Sequence, residues 1–262
     1  MKNMPKCQPS YQAAQPSFRI SRTPTLFCLW ILLPGLLSAQ KIATIKPERF
    51  FSVDVPSPQS ITFDIRLKRY YLTGDRGRVY SFNQQWMPIR SSEREGSDYQ
   101  AICAHEKVVY VRDAGAKKVV AYDAGTLLPQ YTFELPVTVQ STSSGSGFTW
   151  NQARKSFVLT AGMQNKKLIL AEFDTDFRQI HEHRQPIASL SALTWFDGAL
   201  WGFSSGERML YRIHPDTYNV MRSWRVKTKK IRSICFDKEG NLFMLRDDKP
   251  LVYEFRTPRS QP

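Results

Sequence analysis

The sequence predicts an all-β protein, a five-bladed propeller of four-stranded antiparallel blades, and three observations predict it. A four-residue signature recurs five times, as Ile61-Thr62-Phe63-Asp64, Ile102-Cys103-Ala104-His105, Phe148-Thr149-Trp150-Asn151, Leu193-Thr194-Trp195-Phe196 and Ile234-Cys235-Phe236-Asp237. Its steps are 41, 46, 45 and 41 residues, the spacing at which small sheets stack into rings because none can bury both faces alone. Apolar residues alternate with period two between turn residues, whereas helical periodicity is almost absent and is broken by Gly or Pro where it starts. The content of Phe, Tyr and Trp, 13% of the chain, suits half-buried pleated surfaces.

The elements follow in order. Before the first signature, Arg49–Val55 alternates like an unpaired strand. The signatures themselves are first strands. Second strands are expected at Tyr70–Thr73, Val108–Arg112, Phe157–Thr160 and Ala199–Phe203. Third strands are expected at Arg78–Phe82, Lys118–Tyr122, Lys167–Phe173, Met209–Ile213 and Leu251–Phe255. In the fourth repeat Asp197-Gly198 supplies a tight hairpin turn, His214-Pro215-Asp216-Thr217 the next, and Asn219–Val226 an outer strand.

The fifth repeat stops at Phe255 with too little chain left for an outer strand. The N-terminal strand Arg49–Val55 is therefore expected to complete the last blade, closing the ring and covering an exposed edge. Six blades would need a whole repeat within residues 41–60, or irregular strands in the long connection 128–147.

Residues 1–24 carry Lys2, Lys6, Arg19 and Arg22 and no acid, and an apolar stretch from Leu26 to Leu37 ends in Ser38-Ala39. That is the layout of a secretory signal peptide over 1–39, leaving one propeller domain over 40–262 in a periplasmic or secreted location. The stretch, interrupted by Pro34 and Gly35, is too short for a hydrocarbon core of about 30 Å, so no stable membrane span is expected after cleavage. Beyond residue 39 the chain has 33 basic against 23 acidic residues, a formal charge of +10. Such a surplus suits an anionic polymer. Nucleic acid is not the expected partner, because no nucleic-acid motif accompanies the charge. Cys103 and Cys235 both hold the second signature position, where the other repeats have Thr. They belong to blades that are not ring neighbours, beyond the roughly 7 Å reach of a disulfide, and two free buried thiols are expected.

The stretches Leu193–Gly202 with Leu210–Ile213, and Phe236–Phe243, resemble blades of the secreted NHL, YVTN and SMP-30-type propellers. The resemblance implies a fold without an activity. The segment Ile213–Thr217 is also similar to the turn-strand rhythm of five-bladed glutaminyl cyclotransferases. Those enzymes carry a key Glu on the inner strand where this chain has Ala192, Leu193 and Thr194. SMP-30-type lactonases hold a divalent metal at the axis with Glu, Asn and Asp. Here Asp64, His105, Asn151 and Asp237 occupy the fourth signature position, with Phe196 breaking the set. The same residues begin hairpin turns, where Asp and Asn are favoured for local hydrogen bonds. No cofactor is expected, and a divalent metal is the alternative.

The ligand face is expected among the loops between second and third strands, with Asp75, Arg76, Arg112, Asp113, Glu207, Arg208, Arg246 and Asp247. Lys229 and Lys230, within a basic run that includes Arg225, Lys227 and Arg232, enter the fifth repeat on that face. The functional expectation is an exported, monomeric, non-catalytic module that binds a protein, glycan or polar ligand there. Its rival is a metal-dependent hydrolase or lactonase with its site at the axis.

Overall fold

Tight turns join inner strands buried along most of their length to more exposed outer strands in the computed structural model, which describes residues 42–74, 77–93, 96–136, 147–165 and 167–257. The predicted leader 1–39 and the candidate residues Asp75 and Arg76 lie outside the described residues. Two short strands come first, β1 (Thr44–Ile45) and β2 (Arg49–Ser52). Blade one is β3 (Ser60–Asp64), β4 (Arg69–Thr73), β5 (Val79–Phe82) and β6 (Pro88–Ser91). Blade two is β7 (Tyr99–His105), β8 (Val108–Asp113), β9 (Lys118–Asp123) and β10 (Pro129–Glu134). Blade three is β11 (Phe148–Asn151), β12 (Ser156–Gln164), β13 (Lys167–Phe173) and β14 (Gln179–Gln185). Blade four is β15 (Ala192–Phe196), β16 (Ala199–Ser204), β17 (Met209–Ile213) and β18 (Val220–Val226). Blade five is β19 (Ile231–Phe236), β20 (Leu242–Arg246) and β21 (Leu251–Phe255), with β2 as its outer strand.

The ring therefore has five blades and closes through its N-terminal strand. The connection 128–147 contributes β10, the ordinary outer strand of blade two. In the closure, β2 runs antiparallel to β21 with Phe50 opposite Tyr253 and Phe51 opposite Val252. Phe51 stacks on Trp86 of blade one at 5.6 Å, and Val53 and Val55 are buried just beyond the strand. Arg49 is ion-paired with the nearly buried carboxylate of Glu254. A second strap was not foreseen: β1 adds to blade four in parallel, Thr44 beside Arg225 and Ile45 beside Val226. It covers an edge that would otherwise expose unpaired backbone groups.

Core clusters lie between neighbouring blades. One joins Ile61, Phe63, Tyr70 and Trp86 of blade one to Phe243, Leu245 and Val252 of blade five. Polar bonds then lock the seams. Ser60 and Ser233 hydroxyls meet at 3.1 Å between blades one and five, and Tyr71 Oη donates to the Ala124 carbonyl of blade two at 2.8 Å. Asn151 Nδ2 donates to the Pro215 carbonyl of blade four at 2.8 Å. A buried amide or hydroxyl must find such partners, so these bonds fix how one blade sits on the next. Asp197 and Gly198 have φ of 47° and 67°, the left-handed pair required by a two-residue hairpin.

Candidate functional site

The five signatures run side by side around the axis and converge on a cavity of about 320 Å³ at the end where first strands turn into second strands. The second-position residues Thr62, Cys103, Thr149 and Thr194 line its inner wall. Small side chains at that position are what leave space at the axis. The third position is large in four repeats, and Phe63, Trp150, Trp195 and Phe236 supply much of the apolar lining. Phe196 joins them by stacking on Phe236 of the next blade, with centroids 4.5 Å apart. Gly240 holds this contact in place. It has φ of 84°, and a Cβ there would lie 2.9 Å from Phe196 Cζ, so a substitution strains the turn and pushes on the stacked ring.

His105 stacks on Trp150 with centroids 3.9 Å apart. Burial holds the imidazole below its ordinary pKa, the nearby Glu106 carboxylate opposing that effect. Trp150 Nε1 donates to Gln152 Oε1 at 3.0 Å, so the indole is fixed from both sides. Exposed Arg66 and Glu106 stand among the lining residues, and Ile65 is 63% exposed.

Two buried carboxylates belong to the lining. Asp64 Oδ1 accepts the backbone N–H groups of Arg66 (2.7 Å) and Leu67 (3.1 Å), holding the turn after β3. Its Oδ2 is buried and has no hydrogen-bond partner among the described residues. An unpaired buried acceptor costs about 1–3 kcal/mol, more when charged, so Asp64 is a place where stability has been given up. Asp237 accepts from the backbone N–H of Asn241 and from its Nδ2, both at 2.8 Å. Burial nonetheless raises its pKa, against the lowering effect of these bonds.

The fourth-position set therefore splits into separate roles. Asp64, Asn151 and Asp237 each hold their own turn, as the local hydrogen-bonding reading expects, and His105 is a stacking residue. Among the described residues, no three His, Cys, Asp or Glu side chains come together as a metal-binding group. Cys103 and Cys235 are free and buried, and burial pushes the Cys103 thiol up to about 12.

The charged residues foreseen as a ligand face lie at the opposite ends of the strands. Arg112 is 1% exposed, and its guanidinium donates to the Thr160 carbonyl of blade three at 3.3 Å. Asp113 is fully buried and accepts from Ser97 and from the N–H groups of Asp98 and Ala116, fixing two loops together. Glu207 accepts the Tyr211 hydroxyl at 2.6 Å, next to half-buried Arg208. Arg246 pairs with Asp248 and Tyr253, Asp247 with Arg232, and Lys230 with Asp248. Lys229 is exposed. The loop charges thus mostly satisfy one another. The aromatic axial cavity escaped the sequence reading, although four bulky aromatics at the third signature position were its visible trace.

A further polar cluster lies away from the axis. Fully buried Glu172 accepts from Arg154 Nε (2.7 Å) and Ser156 Oγ (2.6 Å) and pairs with His183 Nε2 (3.0 Å). Burial acts to raise its pKa, but the three partners outweigh it and the net shift is downward. His183 also stacks on Tyr218 of blade four at 3.9 Å, so the cluster fastens blades three and four.

No protein-family model matches the chain, and no curated protein matches it in sequence. Solved structures resemble it in fold. A glutaminyl cyclase from Myxococcus xanthus superposes with a TM-score of 0.65 at 14% identity, over 82% of this chain and 98% of that one. A streptogramin B lyase gives 0.50 at 13% identity over 79% and 96%, and the WD40 propeller domain of Doa1 gives 0.51 at 10% over 78% and 79%. Identities this low establish the propeller and no shared activity.

Proposed function

We propose that this chain is an exported, monomeric, non-catalytic binding propeller that takes a small polar ligand into its axial cavity. The observation that carries the reading is the cavity itself. All five blades contribute to it, its wall combines aromatic rings with a few polar groups, and it has the size of the smaller ligand sites, which span about 300–1,000 Å³. The leader-like layout of residues 1–39 supports export. The charged loops at the opposite end are mostly paired among themselves, which favours the cavity over that face as the principal site. The similar structures include a cyclase and a lyase, and at identities of 13–14% that likeness carries the fold alone.

The test is a screen of small polar compounds by tryptophan fluorescence and thermal shift, comparing the native chain with Trp195→Ala. Ligands should perturb the fluorescence and raise the melting temperature of the native protein, and should do so far less in the variant. Equal responses from both proteins would remove the cavity as the site. A stoichiometric divalent ion whose chelation lowers the melting temperature would favour the metal-dependent hydrolase instead.

A further inference from the structure

We propose that the ligand of the axial cavity is an organic cation bearing N–H donors, a primary ammonium or guanidinium compound. This rests on the reading that the cavity is a ligand site and adds the chemistry of its occupant. Three features of the lining converge on it.

The first is the charge balance. Among the described residues the lining holds three carboxylates, Asp64, Glu106 and Asp237, against one permanent cation, exposed Arg66. In a chain with a formal charge of +14 this is a local inversion of sign. An anionic ligand would meet buried carboxylates here, whereas a cation finds partners. The second feature is the aromatic wall of Phe63, Trp150, Trp195, Phe196 and Phe236. Aromatic faces attract cations, most strongly where water is partly excluded. Stacked on Trp150, His105 is kept largely uncharged by its burial and adds no second positive charge to the wall.

The third feature separates donors from non-donors. Asp64 is 6% exposed, one of its oxygens is committed to its turn, and the other has no partner among the described residues. A tetraalkylated ammonium would satisfy the charge and leave that oxygen unpaired. That oxygen is closed to solvent as the side chain stands, so an ammonium or guanidinium reaches it as the carboxylate turns toward the axis, and charge-assisted bonds of this kind are among the strongest. The same chemistry could come from a free small amine or from the basic side chain of a peptide, and both can be offered.

The experiment is calorimetric titration of the full chain with agmatine, tetramethylammonium, glucose and an N-acetylated, C-amidated Gly-Arg-Gly peptide. Tryptophan fluorescence is followed in parallel. Agmatine should bind more tightly than tetramethylammonium, and glucose should not bind. Tighter binding of agmatine than of the peptide identifies a free amine as the source, and the reverse identifies a peptide side chain; both support the cation. Asp64→Asn keeps an Oδ1 acceptor for the turn and removes the charge. It should weaken agmatine by about tenfold or more, the scale of a lost charge-assisted hydrogen bond. Should that variant melt well below the native protein, exposed Glu106→Gln serves as a second probe, with an expected loss of about two- to threefold. Full affinity in both variants overturns the assignment. Glucose binding without agmatine binding also overturns it while leaving a small-ligand cavity intact. Failure of all four probes together with the compound screen removes the cavity reading as well.

Discussion

His105 and Trp150 stack across the seam between blades two and three, with ring centroids 3.9 Å apart and planes 17° apart. The contact places a titratable ring in the wall of the axial cavity. Because burial depresses the His105 pKa below its ordinary 6.5, the unfolded chain binds this proton more readily than the folded one. The stability contributed by the neutral ring is complete above that ordinary value and is lost as pH falls towards the folded pKa. Denaturant midpoints should therefore drop between about pH 7.5 and about pH 5.5, and by less in His105→Phe, which keeps an aromatic ring without a proton to bind. Identical drops in both proteins would show that His105 is not responsible.

Arg112 is expected to matter for stability. Its side chain is buried, bonds across a blade seam to the Thr160 carbonyl and has its pKa lowered by burial. Arg112→Ala should cost about 2–4 kcal/mol in urea denaturation through a cavity and an unpaired carbonyl, while exposed Lys229→Ala should change stability by less than about 0.5 kcal/mol. A neutral Arg112→Ala would return this residue to the list of ligand contacts.

The basic run before blade five offers a separate surface. Arg225, Lys227 and Lys229 are exposed, whereas Lys230 is paired with Asp248 and Arg232 with Asp247. Reversing charge at both Lys229 and Lys230 should lower the salt concentration at which the protein leaves a heparin column, since attraction between exposed charges is screened over about 10 Å at 0.1 M salt. Unchanged elution would exclude the run as a docking site for an anionic polymer.

Much of this fold was legible in the sequence because its information is local. Turn pairs such as Asp197-Gly198 and short apolar runs such as Ala199–Ser204 mark strand ends within a few residues, and their recurrence counts the blades. The closing strand was legible as well, since Phe51, Val53 and Val55 need a partner and blade five lacks an edge. The strap at Thr44–Ile45 was not, because two residues carry no periodicity. Nor was the cavity. Phe63, Trp150, Trp195 and Phe236 are each unremarkable strand residues, and only the ring brings them around one space. Arg112 and Asp113 stand where a strand meets a loop, and only the ring brings the Arg112 guanidinium to the Thr160 carbonyl of blade three.

An enclosed axis for a ligand to enter requires that β2 close the ring. Calorimetry of the chain lacking residues 1–52, beside a chain lacking only residues 1–47, which has lost β1 but keeps β2, tests this most directly. Closure by Phe50 and Phe51 predicts that removing them lowers the melting temperature by more than about 10 °C or broadens the single transition into several. The same melting temperature and enthalpy in both chains would contradict it.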